Sequence, residues 1–332
     1  MTRWICAGII GATLISATGC AVAGDPWEGH ESQTKVVVTI APLESFVRAV
    51  GGDRVAVRCL CTTTGPHHYQ PDSRDARLLS NADLFLAVGL TLDESFADAM
   101  YRTARKPDVP YVKLGELLPE PSLLEMKHDC CKQGDAEHAH HHDKWDPHVW
   151  LGIRQAVQIV EQIRDQLTKI DPSSKEVFEK NAAAYVAKLH GLHAEGKKLL
   201  ADRAVRRIVS FHEALGYLAE SFDLEIADVI EQGPGDQPTS RHIADLINIC
   251  KDPKKSVGAI TVEPQYSGSS SATLIQNELR REKIIMPMAT IDPMETAEVS
   301  ELASEGGDWY LERMRRNLAS LHKALPAKKA AP

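Results

Sequence analysis

Short, nearly unbroken apolar runs alternate along this chain with longer stretches in which apolar residues return every three or four positions. The runs fall at 35–40, 55–60, 83–88 and 110–114, and the rhythm resumes at 207–211, 225–230, 257–262 and 284–291. A short run without polar alternation reads as a strand covered on both faces, and strands separated by helical stretches pair in parallel through crossovers. The pattern therefore predicts an α/β fold of two lobes, each with about four mainly parallel strands flanked by helices.

Between the lobes the pattern predicts a long helix over 171–202. Asp171 is placed as its N-cap and Pro172 as its first residue. Phe178, Ala182, Tyr185, Leu189 and Leu192 fall on one stripe, the signature of a helix with one buried face. Gly191 and Gly196 each weaken such a helix by about 1 kcal/mol relative to Ala, so its second half is the weaker part of the expectation. The lobes are then expected at 35–170 and 203–322. The segment 123–144 has no period of either kind and carries His138, His140, His141 and His142, which predicts a polar surface loop able to capture metal weakly.

The first residues add a compartment. Arg3, an apolar run from Trp4 to Ala17 and then small residues follow the order of an export signal over 1–23, too short to span a bilayer comfortably. Two processing sites compete: Ala17-Thr18-Gly19-Cys20, which resembles a lipobox that would place a lipid on Cys20, and Ala21-Val22-Ala23. Either leaves an exported chain, free in the periplasm or lipid-anchored to the envelope. Beyond the signal, Cys59, Cys61, Cys130, Cys131 and Cys250 are odd in number, and sequence assigns them no pairing. A formal net charge of -8 excludes a general nucleic-acid binder, which needs a basic surface to neutralise phosphates.

Four residues in short punctuated motifs carry the candidate chemistry. They are His67 in Gly65-Pro66-His67-His68-Tyr69, His148 in Asp146-Pro147-His148-Val149-Trp150, His212 in Phe211-His212-Glu213-Ala214, and Asp292 in Ile291-Asp292-Pro293. Their separations of 81, 64 and 80 residues are far too long for a stapled zinc finger, and suit a site assembled from both lobes. Three imidazoles and a carboxylate are a ligand set that zinc prefers. Three of the four stand where a predicted strand ends, the edge at which open α/β sheets bind ligands. Neutral imidazoles are required, so affinity is expected to fall below about pH 6–7. Glu213 and Glu263 are candidate acceptors for the second ring nitrogen of a ligating histidine.

These motifs carry a resemblance. Pro66-His67-His68-Tyr69-Gln70-Pro71, Asn81-Ala82-Asp83-Leu84 with Gly89-Leu90, Asp146-Pro147-His148-Val149-Trp150-Leu151, Phe211-His212-Glu213-Ala214 with Tyr217, Val262-Glu263-Pro264-Gln265-Tyr266-Ser267 and Ile291-Asp292-Pro293-Met294 resemble, in order, elements of the periplasmic solute-binding proteins of zinc and manganese ABC transporters. The resemblance covers about residues 35–322. It implies two α/β lobes on a backbone helix, a metal held in the cleft by His67, His148, His212 and Asp292, and delivery to a membrane permease. Histidine at 212 and the His-rich loop are features of zinc-type members, whereas manganese-type members tend to have Glu at that position. Gly65 and Gly152 depart from the pattern, each standing where the family often has Asp.

Two alternatives are weighed against a zinc receptor: a manganese or iron receptor of the same family, and a zinc hydrolase using Glu213 or Glu263 as general base. A catalytic zinc keeps one position open for water. A fourth ligand and the absence of a His-Glu-x-x-His motif therefore favour binding without catalysis.

Overall fold

The first lobe is built outward from β1 (Thr34–Ile40), whose apolar residues from Val36 onward are buried. In the computed structural model, which describes residues 25–104, 108–126, 144–231, 238–264 and 270–328, β1 pairs in parallel with β2 (Val55–Cys61) on one side and β3 (Leu84–Ala87) on the other. The next strand, β4 (Tyr111–Lys113), completes the order β2-β1-β3-β4. Three helices, α1 (Ala41–Gly51), α2 (Ser73–Ser80) and α3 (Glu94–Thr103), connect these strands. Because the chain leaves β1 toward β2 and then returns past it to β3, the loops at that edge part and leave a crevice.

The second lobe repeats the plan. Its strands β5 (Arg207–His212), β6 (Glu225–Glu231), β7 (Val257–Val262) and β8 (Met288–Thr290) are all parallel, in the order β6-β5-β7-β8. Between them run α6 (Gly216–Ser221), α7 (Ser240–Lys251) and α8 (Ser270–Arg281). Side chains alternate across β5: Ile208 joins the core shared with the first lobe, while Val209 and Phe211 face a separate core with Leu246, Ile275 and Leu279. The last strand is shorter than its apolar run. Lys283 adopts a left-handed φ of 64° and the Ile284 amide donates to the Leu279 carbonyl, so these residues close α8, and Ile285 is left 86% exposed.

Two helices join the lobes lengthwise. After α4 (Ile153–Ile170), a 3-10 turn at Pro172–Ser174 is capped by the Asp171 carboxylate, which accepts from the Ser173 amide, and α5 runs over Lys175–Leu200. Its buried stripe of Phe178, Ala182, Tyr185, Leu189 and Leu192 continues to Leu200. The helix does not fail at Gly196, where a Cβ would come within 2.3 Å of the Phe222 ring and 2.8 Å of Leu318. Glycine there lets α5 lie against the second lobe, and that packing offsets its weak propensity. The chain ends with α9 (Val299–Glu305) and α10 (Trp309–Ala324). Entering α10, it returns to the first lobe: the Ser45 hydroxyl donates to the Gly307 carbonyl at 2.9 Å and accepts from the Tyr310 amide at 3.2 Å. Among the described residues no helix is long and apolar enough to cross a membrane.

Candidate metal centre

The three histidines enter the cleft from a turn, from beyond a bridge and from a strand end. Past β2, Gly65 is extended and Pro66–His68 forms a 3-10 turn. The turn is held from behind by Tyr69, whose hydroxyl donates to Asp75 in the capping box of α2. His148 follows the bridge between Glu125 and Trp145. There the Asp146 carboxylate accepts both the His148 amide at 2.9 Å and its Nδ1 at 2.8 Å, fixing the ring's orientation. His212 is the last residue of β5, and its Nδ1 bonds the carboxylate of Glu263, which directly follows the neighbouring strand β7.

The fourth inward group is Glu295. One donor atom from each of His67, His148, His212 and Glu295 lies within 4.8 Å of the others. The carboxylate oxygen Oε1 stands 3.4 Å from His67 Nε2, 3.3 Å from His148 Nε2 and 3.5 Å from His212 Nε2. These separations exceed the roughly 2.7–2.9 Å of a charge-assisted hydrogen bond. They match the edge of a zinc tetrahedron, about 3.3–3.4 Å for bonds of about 2.0–2.1 Å. His148, His212 and Glu295 are buried, and their Nε2, Nε2 and Oε1 atoms have no hydrogen-bond partner among the described residues. Buried polar atoms are almost always satisfied, so three orphans facing one point mark the place for a cation. His67 keeps 28% of its side chain exposed and forms the solvent side of the cluster.

Asp292, expected as the fourth ligand, is not in this group. Its Oδ1 accepts the Met294 amide at 2.8 Å, while Asn317 of α10 holds its backbone through both amide and carbonyl. Met294 then takes a left-handed φ of 63°, and the chain reverses so that Glu295 points into the cleft. Asp292 thus builds the turn that presents the ligand-type carboxylate. Gly65 makes room for it: a Cβ at that position would stand 3.1 Å from Glu295 Oε2.

No local pattern marks Asp146 and Glu295, although the first lies inside the Asp146-Pro147-His148 motif and the second one residue beyond Ile291-Asp292-Pro293-Met294. Glu263 holds the position expected of an acceptor for a ligating histidine, and Glu213 lies beside the cluster in the wall of a cavity of about 780 Å³ that also includes Asp146 and His212. His138, His140, His141 and His142, together with the export signal, lie outside the described residues. Among the described residues Cys59, Cys61 and Cys250 are unbridged thiols.

The carboxylates dominate the electrostatics. Burial works against a charged His148, but Asp146 and Glu295 outweigh it and raise its pKa to about 9. At His212 burial is likewise outweighed by Glu263 and Glu295, and the pKa rises to about 10. Burial opposes a charged Glu295 too, yet the three histidines hold its carboxyl well below the usual range. Burial pushes Asp292 up. Proton competition for this site therefore starts well above the pH 6–7 expected from unperturbed imidazole, because each buried ring is paired with carboxylates.

Two matching parallel sheets on shared helices bring four ligand-type side chains together where their edges meet. The chain belongs to the family described as "ZnuA: Zinc-uptake complex component A periplasmic", which matches residues 36–324. It is 29% identical over 316 residues to the zinc-binding lipoprotein AdcA of Streptococcus pneumoniae, covering 93% of this chain and 60% of that protein. The crystal structure of Zn(II)-bound AdcA from S. pneumoniae superposes with a TM-score of 0.67 at 26% identity, over 90% of this chain and 59% of that one. A crystal structure of ZnuA shares the fold at a TM-score of 0.71 and 22% identity, over 88% and 99% of the two chains. The chain thus spans about 60% of the length of the curated AdcA relatives it matches.

Proposed function

We propose that this chain is an exported, high-affinity zinc receptor that holds its ion with His67, His148, His212 and Glu295 and hands it to the membrane permease of an ABC importer. The carrying observation is the set of Glu295 to histidine distances, 3.3–3.5 Å, which matches the ligand spacing of a tetrahedral zinc. Three imidazoles favour zinc over manganese, which is better served by oxygen donors. With four protein ligands no position remains for the activated water that a zinc hydrolase needs, which supports a binding role without catalysis. Of the two competing processing sites, the lipobox-like Ala17-Thr18-Gly19-Cys20 would give a lipid anchor at the envelope, and the similar AdcA is itself called a lipoprotein.

Metal analysis of the mature chain, with competition between ions, tests this reading. One tightly held zinc per chain is expected, and zinc should displace manganese from it. Retention of manganese against equimolar zinc would overturn it. The carboxylate behind His212 gives a second expectation: Glu263→Gln should lower zinc affinity by about 10–100-fold, the usual effect of removing a partner that orients a ligating imidazole. Isothermal titration against a competing chelator reads that change, and an unchanged constant would remove Glu263 from the design.

A further inference from the structure

The segments that deliver His148 and Glu295 are bonded to each other by one side chain. Trp150, two residues beyond His148, is fully buried, and its indole N–H donates to the Pro293 carbonyl at 2.8 Å, two residues before Glu295. The Trp150 ring lies 5.3 Å from the His148 ring between centroids. Its own carbonyl accepts the Tyr310 hydroxyl at 2.6 Å, and Tyr310 packs edge-on against Phe46 of α1 with centroids 4.7 Å apart. The Glu295 turn therefore has two anchorages. Asn317 holds it within its own lobe, at Asp292, and Trp150 holds it to the other lobe.

We propose that Trp150 is a positioning residue for the metal, a latch whose bond to Pro293 keeps the Glu295 carboxylate against the three imidazoles and sets how fast the ion leaves. The proposal rests on the zinc-receptor reading for its ligand. A bound ion links His67 and His148 of the first lobe to His212 and Glu295 of the second. The indole bond closes the same gap from inside the protein, so the ligand set is formed before the ion arrives and the ion need not supply the cost of ordering the turn. Release begins when the Glu295 turn swings away, a motion that must break the Trp150 bond. Removing the indole N–H leaves the Pro293 carbonyl without its donor and weakens the closed arrangement by about one net hydrogen bond. Changes of this kind fall mainly on dissociation, since association rates vary little among variants of one site.

Trp150→Phe is expected to release zinc about tenfold faster into excess chelator, equivalent to about 1.4 kcal/mol, with the association rate within about twofold of the wild type. Tyr310→Phe, which loosens the Trp150 carbonyl but keeps the indole bond, should give a smaller acceleration in the same direction, and it carries the test if Trp150→Phe does not fold. A merely structural role would lower the melting temperatures of the metal-free and zinc-loaded proteins equally. A latch instead shrinks the gain in melting temperature that zinc brings. In the metal-free protein, amide hydrogen exchange across residues 291–297 should also quicken in Trp150→Phe. Dissociation within twofold of wild type in both variants, or unchanged exchange in that segment, overturns the latch. If wild-type protein fails to bind zinc, the receptor reading falls separately, and the latch is decided by the exchange measurement alone.

Discussion

Glu295→Gln should weaken zinc binding by more than about a hundredfold, beyond the roughly 10–100-fold typical of losing a group that only supports a ligand, while Asp292→Asn should stay within about fivefold of the wild type. The contrast follows from what each carboxylate touches. Glu295 Oε1 faces all three imidazole nitrogens and has no hydrogen-bond partner among the described residues, so its charge is available to a cation at that point. Asp292 Oδ1 accepts the Met294 amide, a task the amide oxygen of Asn performs equally well, so the turn survives the substitution. His212→Ala should fall with Glu295→Gln, because it removes a donor atom from the same four-atom set. Competition against a chelating dye measures all three. Thermal melts give an independent check, since a ligand that binds only the folded state stabilises it by RT ln(1 + [L]/Kd), and the gain that zinc brings should shrink with the lost affinity. If Asp292→Asn proved the more damaging change, Glu295 would lose its place as the fourth ligand.

The sequence made the strands and three histidines legible because each leaves a local mark. The runs at 55–60 and 257–262 are short, mostly apolar and bounded by breakers, and most of their residues are buried in the folded chain. His67 and His148 stand beside prolines, and His212 ends a strand. The carboxylate that joins them in the cluster left no such mark. Asp-Pro is a strong turn signal, and a carboxylate inside it attracts attention, but which acidic residue reaches the cleft depends on the left-handed Met294, whose conformation no periodicity announces. Gly196 misled in the opposite direction. Propensity alone counts it as a weak point in α5, whereas the close approach of Phe222 and Leu318 requires a residue without a side chain there. Likewise Gly65 reads as a departure from a family pattern until the Glu295 carboxylate is seen to lie beside it. At both glycines a residue distant in sequence supplies the decisive contact.

Zinc binding near neutral pH should release about two protons from the protein. In the metal-free site the Asp146 and Glu295 carboxylates hold His148 at about 9, and Glu263 and Glu295 hold His212 at about 10, both against the opposing effect of burial. Both rings are then protonated at pH 7, and zinc accepts only the neutral imidazole nitrogen. With two protons displaced, apparent affinity should rise by up to about a hundredfold per pH unit and level off as pH passes 9 and then 10. The stability of the metal-free protein should move the other way. Histidines whose folded pKa is raised stabilise the protein fully below the unfolded value of about 6.5, and that contribution is lost as pH rises through 9 and 10. The two trends make zinc-dependent stabilisation grow steadily on the alkaline side. Calorimetry at pH 7 in buffers of different ionisation enthalpy counts the protons, and a count near zero would mean that the imidazoles stand neutral before the ion arrives.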